Sequence, residues 1–188
     1  ERDKELAMNR GYVIVCGGTG GHLAPGIAIA QRLEQKGYPV TLVVSHKGID
    51  KELSRQYNKL RFVRCPGEPF SLHPLRFLKF LRGVAQSLIF SYRFLRSEQP
   101  IALVAFGGFL SVGFALTAKL CEVPLFLHEA NRIAGRSIRY LSRFASRVYL
   151  PEGVRLSGLK LEYRRQIGMP LRQEVKHIPK DDIRQQMG

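Results

Sequence analysis

The chain has 188 residues, 45% hydrophobic and 24% charged, which suits a globular domain with its own core and excludes a disordered or low-complexity chain. Thirty Lys and Arg against fifteen Asp and Glu give a formal net charge of +15, so the expected partners are anionic: a lipid surface, a phosphate-rich substrate or nucleic acid. No apolar run approaches the roughly 20 residues of a spanning helix, and Cys16, Cys65 and Cys121 have neither disulfide-framework nor metal-ligand spacing.

Residues 1–10 are charged, lack the apolar stretch of a signal peptide, and read as a flexible N-terminus. Gly11–Cys16 is a buried strand. A Gly-rich turn follows, then a helix from about Pro25 to Lys36, stopped by Gly37. Val40–Val44 and Arg61–Cys65 read as strands with a helix, Asp50–Tyr57, between them. Leu75–Arg96 is a long helical region. Strands at Ile101–Phe106, Pro124–His128 and Arg147–Leu150 alternate with helices at Ser111–Cys121 and Gly135–Phe144. After Leu150 the pattern weakens into short extended pieces, and Asp181–Gly188 has the acidic first turn of a short helix. Apolar, β-branched strands separated by helices predict an α/β fold, a Rossmann-like doubly wound parallel sheet covered on both faces. The domain is expected to span 11–175, with 176–188 as a connector.

In such sheets ligands bind beyond the carboxyl ends of the strands. The turn Gly17-Gly18-Thr19-Gly20-Gly21-His22 lies there, between a strand and a helix. Glycines permit positive φ and close backbone approach, and a helix N-terminus offers unpaired N–H groups, so the turn suits a phosphate or diphosphate. It is no Walker A loop, since Gly21-His22-Leu23 stands where Gly-Lys-Ser/Thr is needed. It is no dinucleotide fingerprint either: Leu23 takes the place of the third glycine, and the second strand ends at Ser45-His46 without an acidic residue. His22 falls in the first helical turn, where the helix dipole favours a neutral imidazole able to accept a proton. From the residues alone, a catalytic His22 and a structural one weigh equally.

Two more segments share the expected rim. Gly107-Gly108-Phe109 follows a strand, with Ser111 leading into the next helix. His128-Glu129-Ala130-Asn131 ends another strand; its polar side chains either orient a polyol or cap the following helix.

These segments together resemble the MurG family of bacterial glycosyltransferases. Gly17-Gly18-Thr19-Gly20-Gly21-His22, with Ala24-Pro25-Gly26 after it, is similar to the family's first glycine loop, and Gly107-Gly108-Phe109 with Ser111 to its second. His128-Glu129-Ala130-Asn131-Arg132-Ile133-Ala134-Gly135 resembles His-Glu-Gln-Asn-x-Ile-Ala-Gly, and Gly168-Met169-Pro170-Leu171-Arg172 resembles Gly-Asn-Pro-Val-Arg. The resemblance runs from about Tyr12 to Gly188. It implies the N-terminal half of a two-domain GT-B glycosyltransferase that transfers GlcNAc from UDP-GlcNAc, with inversion, to the lipid-linked muramyl acceptor of peptidoglycan synthesis (lipid I to lipid II). On this resemblance His22 is the candidate base. Gly17, Gly18, Thr19, Gly20, Gly21, Gly107, Gly108, Ser111, Glu129, Asn131 and Arg172 are candidates for contacts with the acceptor diphosphate or the donor. No cofactor or metal is implied beyond the substrate UDP-GlcNAc, whose main site belongs to a C-terminal domain. Several positions depart from the pattern: Phe109 for Tyr, Ala130 for Gln, Ile138 for Asn, Met169 for Asn, and Val112-Gly113 for Gly-Pro.

The segment Pro69–Arg96 is rich in aromatics and cations. A helical wheel puts Leu78, Leu81, Ala85, Leu88, Tyr92 and Leu95 on a core arc, and leaves Phe80, Phe90 and Phe94 outside it near Arg76 and Lys79. Those five residues are the expected membrane face, on an anionic surface. With the resemblance, this implies a peripheral protein on the cytoplasmic face of the bacterial inner membrane. A second reading is a non-catalytic, membrane-recruiting subunit of a split UDP-sugar glycosyltransferase. Nucleic acid is disfavoured as a partner, since only the charge points to it and no binding motif accompanies that charge.

Overall fold

The computed structural model describes residues 10–17, 20–46, 48–67, 74–157 and 164–175. The N-terminal residues 1–9 and the connector and helix expected at 176–188 lie outside these. Within them the chain runs β1 (Tyr12–Val15), α1 (Gly20–Gln35), β2 (Val40–Val44), α2 (Gly48–Gln56), β3 (Arg61–Arg64), α3 (Pro74–Glu98), β4 (Ala102–Ala105), α4 (Gly108–Leu120), β5 (Leu125–His128), α5 (Arg136–Leu141), a 3-10 turn (Ser142–Phe144), β6 (Arg147–Leu150) and β7 (Arg164–Gln166). The strands form one parallel sheet in the order β3-β2-β1-β4-β5-β6-β7. This is the doubly wound α/β fold that the alternation of strands and helices predicts.

Successive strand residues point to opposite faces, and both faces of the central strands are covered, so those strands read as unbroken apolar runs. Val13 and Val15 of β1 join Leu103, Ala105, Leu125, Leu127 and Val148 in a core beneath α4 and α5. Ile14 and Cys16 face the other way and pack with Leu42 and Val44 under Leu23, Ile27 and Ala30 of α1. The connection after β1 thus goes to one face and the connection after β4 to the other. β1 and β4 are neighbours in register from Tyr12↔Ala102 to Val15↔Ala105, so a crevice opens between their carboxyl ends.

Two departures from expectation have clear causes. The first helix begins at Gly20, five residues before Pro25, which lies inside it. Proline there cannot donate to the Gly21 carbonyl, which is left at the rim without its helical donor. The edge strand β7 carries Arg164-Arg165-Gln166 and no apolar alternation. It is held by its pairing with β6, Val148↔Arg164 to Leu150↔Gln166, and a charged edge of this kind resists pairing with other chains.

The face of α3 is the larger correction. The helix runs unbroken through Gly83, and its buried stripe is Gly83, Ser87, Ser91 and Leu95, with Phe90 and Phe94 half-buried beside it. Phe90 and Phe94 meet Phe114 of α4 edge-on, with ring centroids 6.3 and 6.0 Å away. Leu81 and Tyr92, placed on the core arc by the wheel, are 47% and 46% exposed. Small residues caused the misreading. A Cβ on Gly113 would lie 2.6 Å from Ser87 Oγ, so α3 and α4 cross in close contact only because both are small at the crossing. Thr117 Oγ1 donates to Ser91 Oγ at 3.0 Å, and Ser91 Oγ donates to the Leu88 carbonyl at 3.1 Å, which satisfies the buried hydroxyls. On a wheel such serines look solvent-facing.

Candidate functional site

The crevice is lined by the turns after β1, β4 and β5. Gly17 is buried, and a Cβ there would sit 2.4 Å from Ser45 N and 2.5 Å from Val44 Cα. Only glycine lets β1 turn this close to the end of β2. Gly18 and Thr19 lie outside the described residues. Gly20 and Gly21 open α1, and His22 is its third residue. Gly26, one turn on, has no room for a side chain, since a Cβ would lie 2.6 Å from Cys16 Cβ. That contact presses α1 onto β1 and sets the height of His22 above the strand ends.

His22 faces the second glycine turn. A Cβ on Gly108 would be 3.9 Å from both Cε1 and Nδ1 of its ring. Its ring also lies 6.5 Å from Phe106, which in turn is 4.9 Å from the ring of His128. His22, Phe106 and His128 therefore form a row along the ends of β1, β4 and β5. His128 is almost fully buried. Burial lowers its pKa to about 4, with the charge of Glu129 opposing the shift, so the imidazole is neutral near pH 7.

The second glycine turn is braced from outside. Gly107 and Gly108 have φ of 91° and 77°, a region that L side chains enter only under strain. The Gly108 N–H donates to Ser137 Oγ at 2.9 Å. Ser111 Oγ donates to the Gly107 carbonyl at 2.6 Å and is fully buried. Two residues expected at a diphosphate are thus engaged within the protein: the Gly108 amide by Ser137, and the Ser111 proton by Gly107. Glu129 is also fully buried. Its Oε1 accepts the Asn131 backbone N–H and Asn131 Nδ2, both at 2.8 Å, and its Oε2 accepts the Gly135 N–H at 2.7 Å. Asn131 itself is exposed at the rim.

Arg172 is not brought to this rim. Its Nη1 donates to the Tyr57 hydroxyl at 2.8 Å, and the neighbouring Gln173 N–H donates to Gln31 Oε1 at 3.1 Å. Gln31 lies near the end of α1 and Tyr57 precedes β3, so both belong to the amino-terminal edge of the sheet. Of the membrane residues, Arg76 and Lys79 have side chains outside the described residues. Phe80 is half-buried, and Phe90 and Phe94 pack inward as above. The outward surface of α3 carries Leu81, Ile89 and Tyr92 with Arg82, Arg93 and Arg96. An apolar groove of about 520 Å³ runs beside it, lined by Pro66, Ile89, Phe90, Arg93 and Phe94 among others.

Sequence reasoning missed Ser137 and Phe106. Phe106 reads as one more apolar strand residue, and nothing in the sequence links Ser137 to an amide 29 positions earlier. The departures from the family pattern also find places. Ile138 is buried against the Gly107 turn, and a Cβ on Gly67 would meet the Phe109 ring at 2.7 Å. Burial holds the Cys65 thiol up at about 11, which makes it inert near neutral pH. Among the described residues no three His, Cys, Asp or Glu side chains gather as a metal site, and no helix is long and apolar enough to cross a membrane.

Comparison with known proteins agrees with this fold. Residues 12–150 match the glycosyltransferase family 28 N-terminal domain. The chain is 48% identical, over 177 residues, to the UDP-N-acetylglucosamine–N-acetylmuramyl-(pentapeptide) pyrophosphoryl-undecaprenol N-acetylglucosamine transferase of Opitutus terrae, covering 94% of this chain and 47% of that protein. It thus spans about half the length of the relatives it matches. Its fold is similar to that of Acinetobacter baumannii MurG, with a TM-score of 0.72 at 21% identity over 90% of this chain and 50% of that one. It is also similar to a UDP-N-acetylglucosamine 2-epimerase from Rickettsia bellii, with a TM-score of 0.62 at 15% identity, covering 85% of this chain and 45% of that one. With residues 12–150 matched by the family and a parallel sheet in the order β3-β2-β1-β4-β5-β6-β7, the chain belongs to glycosyltransferase family 28, as its N-terminal domain.

Proposed function

We propose that this chain is the acceptor-binding half of an inverting transferase that moves GlcNAc from UDP-GlcNAc to a lipid-diphosphate-linked muramyl acceptor, lipid I, giving lipid II. The observation that carries the reading is the crevice between β1 and β4. A helix N-terminus bearing His22 there faces a turn of two positive-φ glycines, with space enough between them that a Cβ added at Gly108 would still lie 3.9 Å from the His22 ring. The N–H groups opening α1 and the dipole of that helix attract the acceptor's diphosphate. His22 takes the proton from the acceptor hydroxyl as its oxygen attacks the anomeric carbon. The bond to the diphosphate of UDP breaks on the opposite side, which inverts the centre. The donor's nucleotide is held mainly by a C-terminal half, and Gly17, Gly18, Thr19, Gly20, Gly21, Gly107 and Asn131 meet the substrates from this side. Ser111 and Glu129 support that rim from beneath.

The test is a transfer assay on the full-length protein with UDP-GlcNAc and a short-chain lipid I analogue. Loss of the base in His22→Ala is expected to lower kcat by about 10²–10⁴-fold. Transfer undiminished in His22→Ala would remove His22 from the chemistry.

The same reading places the protein on the cytoplasmic face of the inner membrane, as a peripheral protein. The docking face supported by the structure is the outward side of α3, with Leu81, Ile89 and Tyr92 set among Arg82, Arg93 and Arg96. Apolar side chains that enter the headgroup region beside cations bind anionic lipid. Sedimentation with anionic vesicles is expected, weakened by salt and by Ile89→Gln. Equal sedimentation with zwitterionic vesicles would sink this assignment.

A further inference from the structure

The carboxylate of Glu129 is fully buried and accepts three N–H groups: two from Asn131, its backbone and its side chain, and one from Gly135. A carboxylate has no hydrogen to give, so the atom of the Asn131 amide that meets it must be the nitrogen. This settles, on chemical grounds, an orientation that shape alone leaves open. Asn131 is exposed at the crevice, and its Oδ1 has no partner among the described residues. The third N–H, that of Gly135, lies just before α5, and α5 carries the Ser137 hydroxyl that holds the Gly108 amide. One buried carboxylate therefore ties the Asn131 loop to the brace of the second glycine turn.

We infer that Glu129 is a positioning residue that locks the Asn131 amide with its carbonyl oxygen toward the crevice, so that this loop offers the substrate a hydrogen-bond acceptor. The ligand group it selects is a donor, a sugar hydroxyl or an acetamido N–H, and never a bare phosphate oxygen. Phosphate is left to the backbone N–H groups that open α1. The inference rests on the transferase reading above, since it assumes that sugar reaches this crevice.

Removing Glu129 would leave three N–H groups without their shared acceptor and a hole where a buried side chain stood, so the test changes Asn131. In Asn131→Asp of the full-length protein, two carboxyl groups share the contact now made at 2.8 Å. Like charges that close raise the pKa of the pair, which then holds one proton. While that proton is present, the introduced group donates to Glu129 and keeps a carbonyl oxygen outward, as asparagine does. Once it leaves, the two charges repel and the loop opens. The groups around the pair do not supply the same signal. His128 is neutral throughout, with its pKa lowered to about 4, Tyr149 of β6 offers its backbone carbonyl to the Glu129 N–H, and Arg132, Arg136 and Arg139 keep their charge.

Between about pH 5 and pH 8, KM for the sugar substrate in Asn131→Asp is expected to rise about tenfold relative to the unsubstituted protein at each pH, with a smaller change in kcat. The melting midpoint should fall over the same window. A pKa raised by folding stabilises the protonated form, and that contribution is lost as pH rises through the folded value. A KM ratio flat across the window, with a falling midpoint, would overturn the role toward substrate. A flat midpoint would overturn the pairing itself. If the unsubstituted protein transfers no sugar, the transferase reading fails by itself, and the midpoint still decides the pairing.

Discussion

The two glycine turns at the crevice use glycine for different reasons. At Gly17 the demand is space: a side chain would run into the backbone of Val44 and Ser45, which cannot move without parting β1 from β2. At Gly108 the demand is conformation. Its φ is 77°, yet the nearest atoms to an added Cβ, those of the His22 ring, are a comfortable 3.9 Å away. At Gly17 the backbone is fixed by the sheet it leaves. The second packs on Ile138 at Gly107 but has room at Gly108, and its backbone is held by hydroxyls: Ser137 at the Gly108 amide and Ser111 at the Gly107 carbonyl. A backbone position locked by packing, as at Gly17, holds its geometry with or without ligand. A turn held by two hydroxyls is the one that can yield.

The comparison breaks most readily at Gly17. In Gly17→Ala the collision is with backbone, so relief means moving a strand, and destabilisation of about 3 kcal/mol or more is expected in chemical unfolding. A change under 1 kcal/mol would mean that the turn is not locked by the sheet. Gly108→Ala sharpens the contrast with a smaller effect. The added methyl finds room but the backbone conformation is strained, which costs about 1 kcal/mol. Its Cβ also enters the space before His22, so transfer should fall by more than stability does. Equal losses in the two measurements would mean that the space beside His22 is unused.

Much of the fold was legible in the sequence. The apolar strand runs, the Gly-rich turns after them and the helical periods gave the central strands to within a few residues and the helices between them, α1 starting five residues early, because strand burial and turn conformation are local demands written in residue type. Gly37 ended α1 as expected, with φ of 82°. Where the reading failed, a neighbour distant in sequence decided. The buried face of α3 was set by its crossing with α4, where Ser87 and Ser91 meet Gly113 and Thr117 and bulkier residues would hold the helices apart. A wheel ranks residues by hydropathy and cannot see that closeness has its own demand. β7 was missed because its Arg164-Arg165-Gln166 carries no apolar alternation, and its place is set by backbone pairing with β6.

For the site, the sequence by itself determined the cast: a glycine turn at a helix start with a histidine three residues in, a second glycine pair, and a polar loop after a strand. The tertiary structure decided the roles. It set His22 against Gly108, gave the Gly108 amide to Ser137, buried Glu129 under Asn131, and took Arg172 to the far edge of the sheet. Residue type limits what a side chain can donate, accept or tolerate. Which partner it meets depends on how strands far apart in sequence come into register, and that is fixed only when the sheet closes around its core.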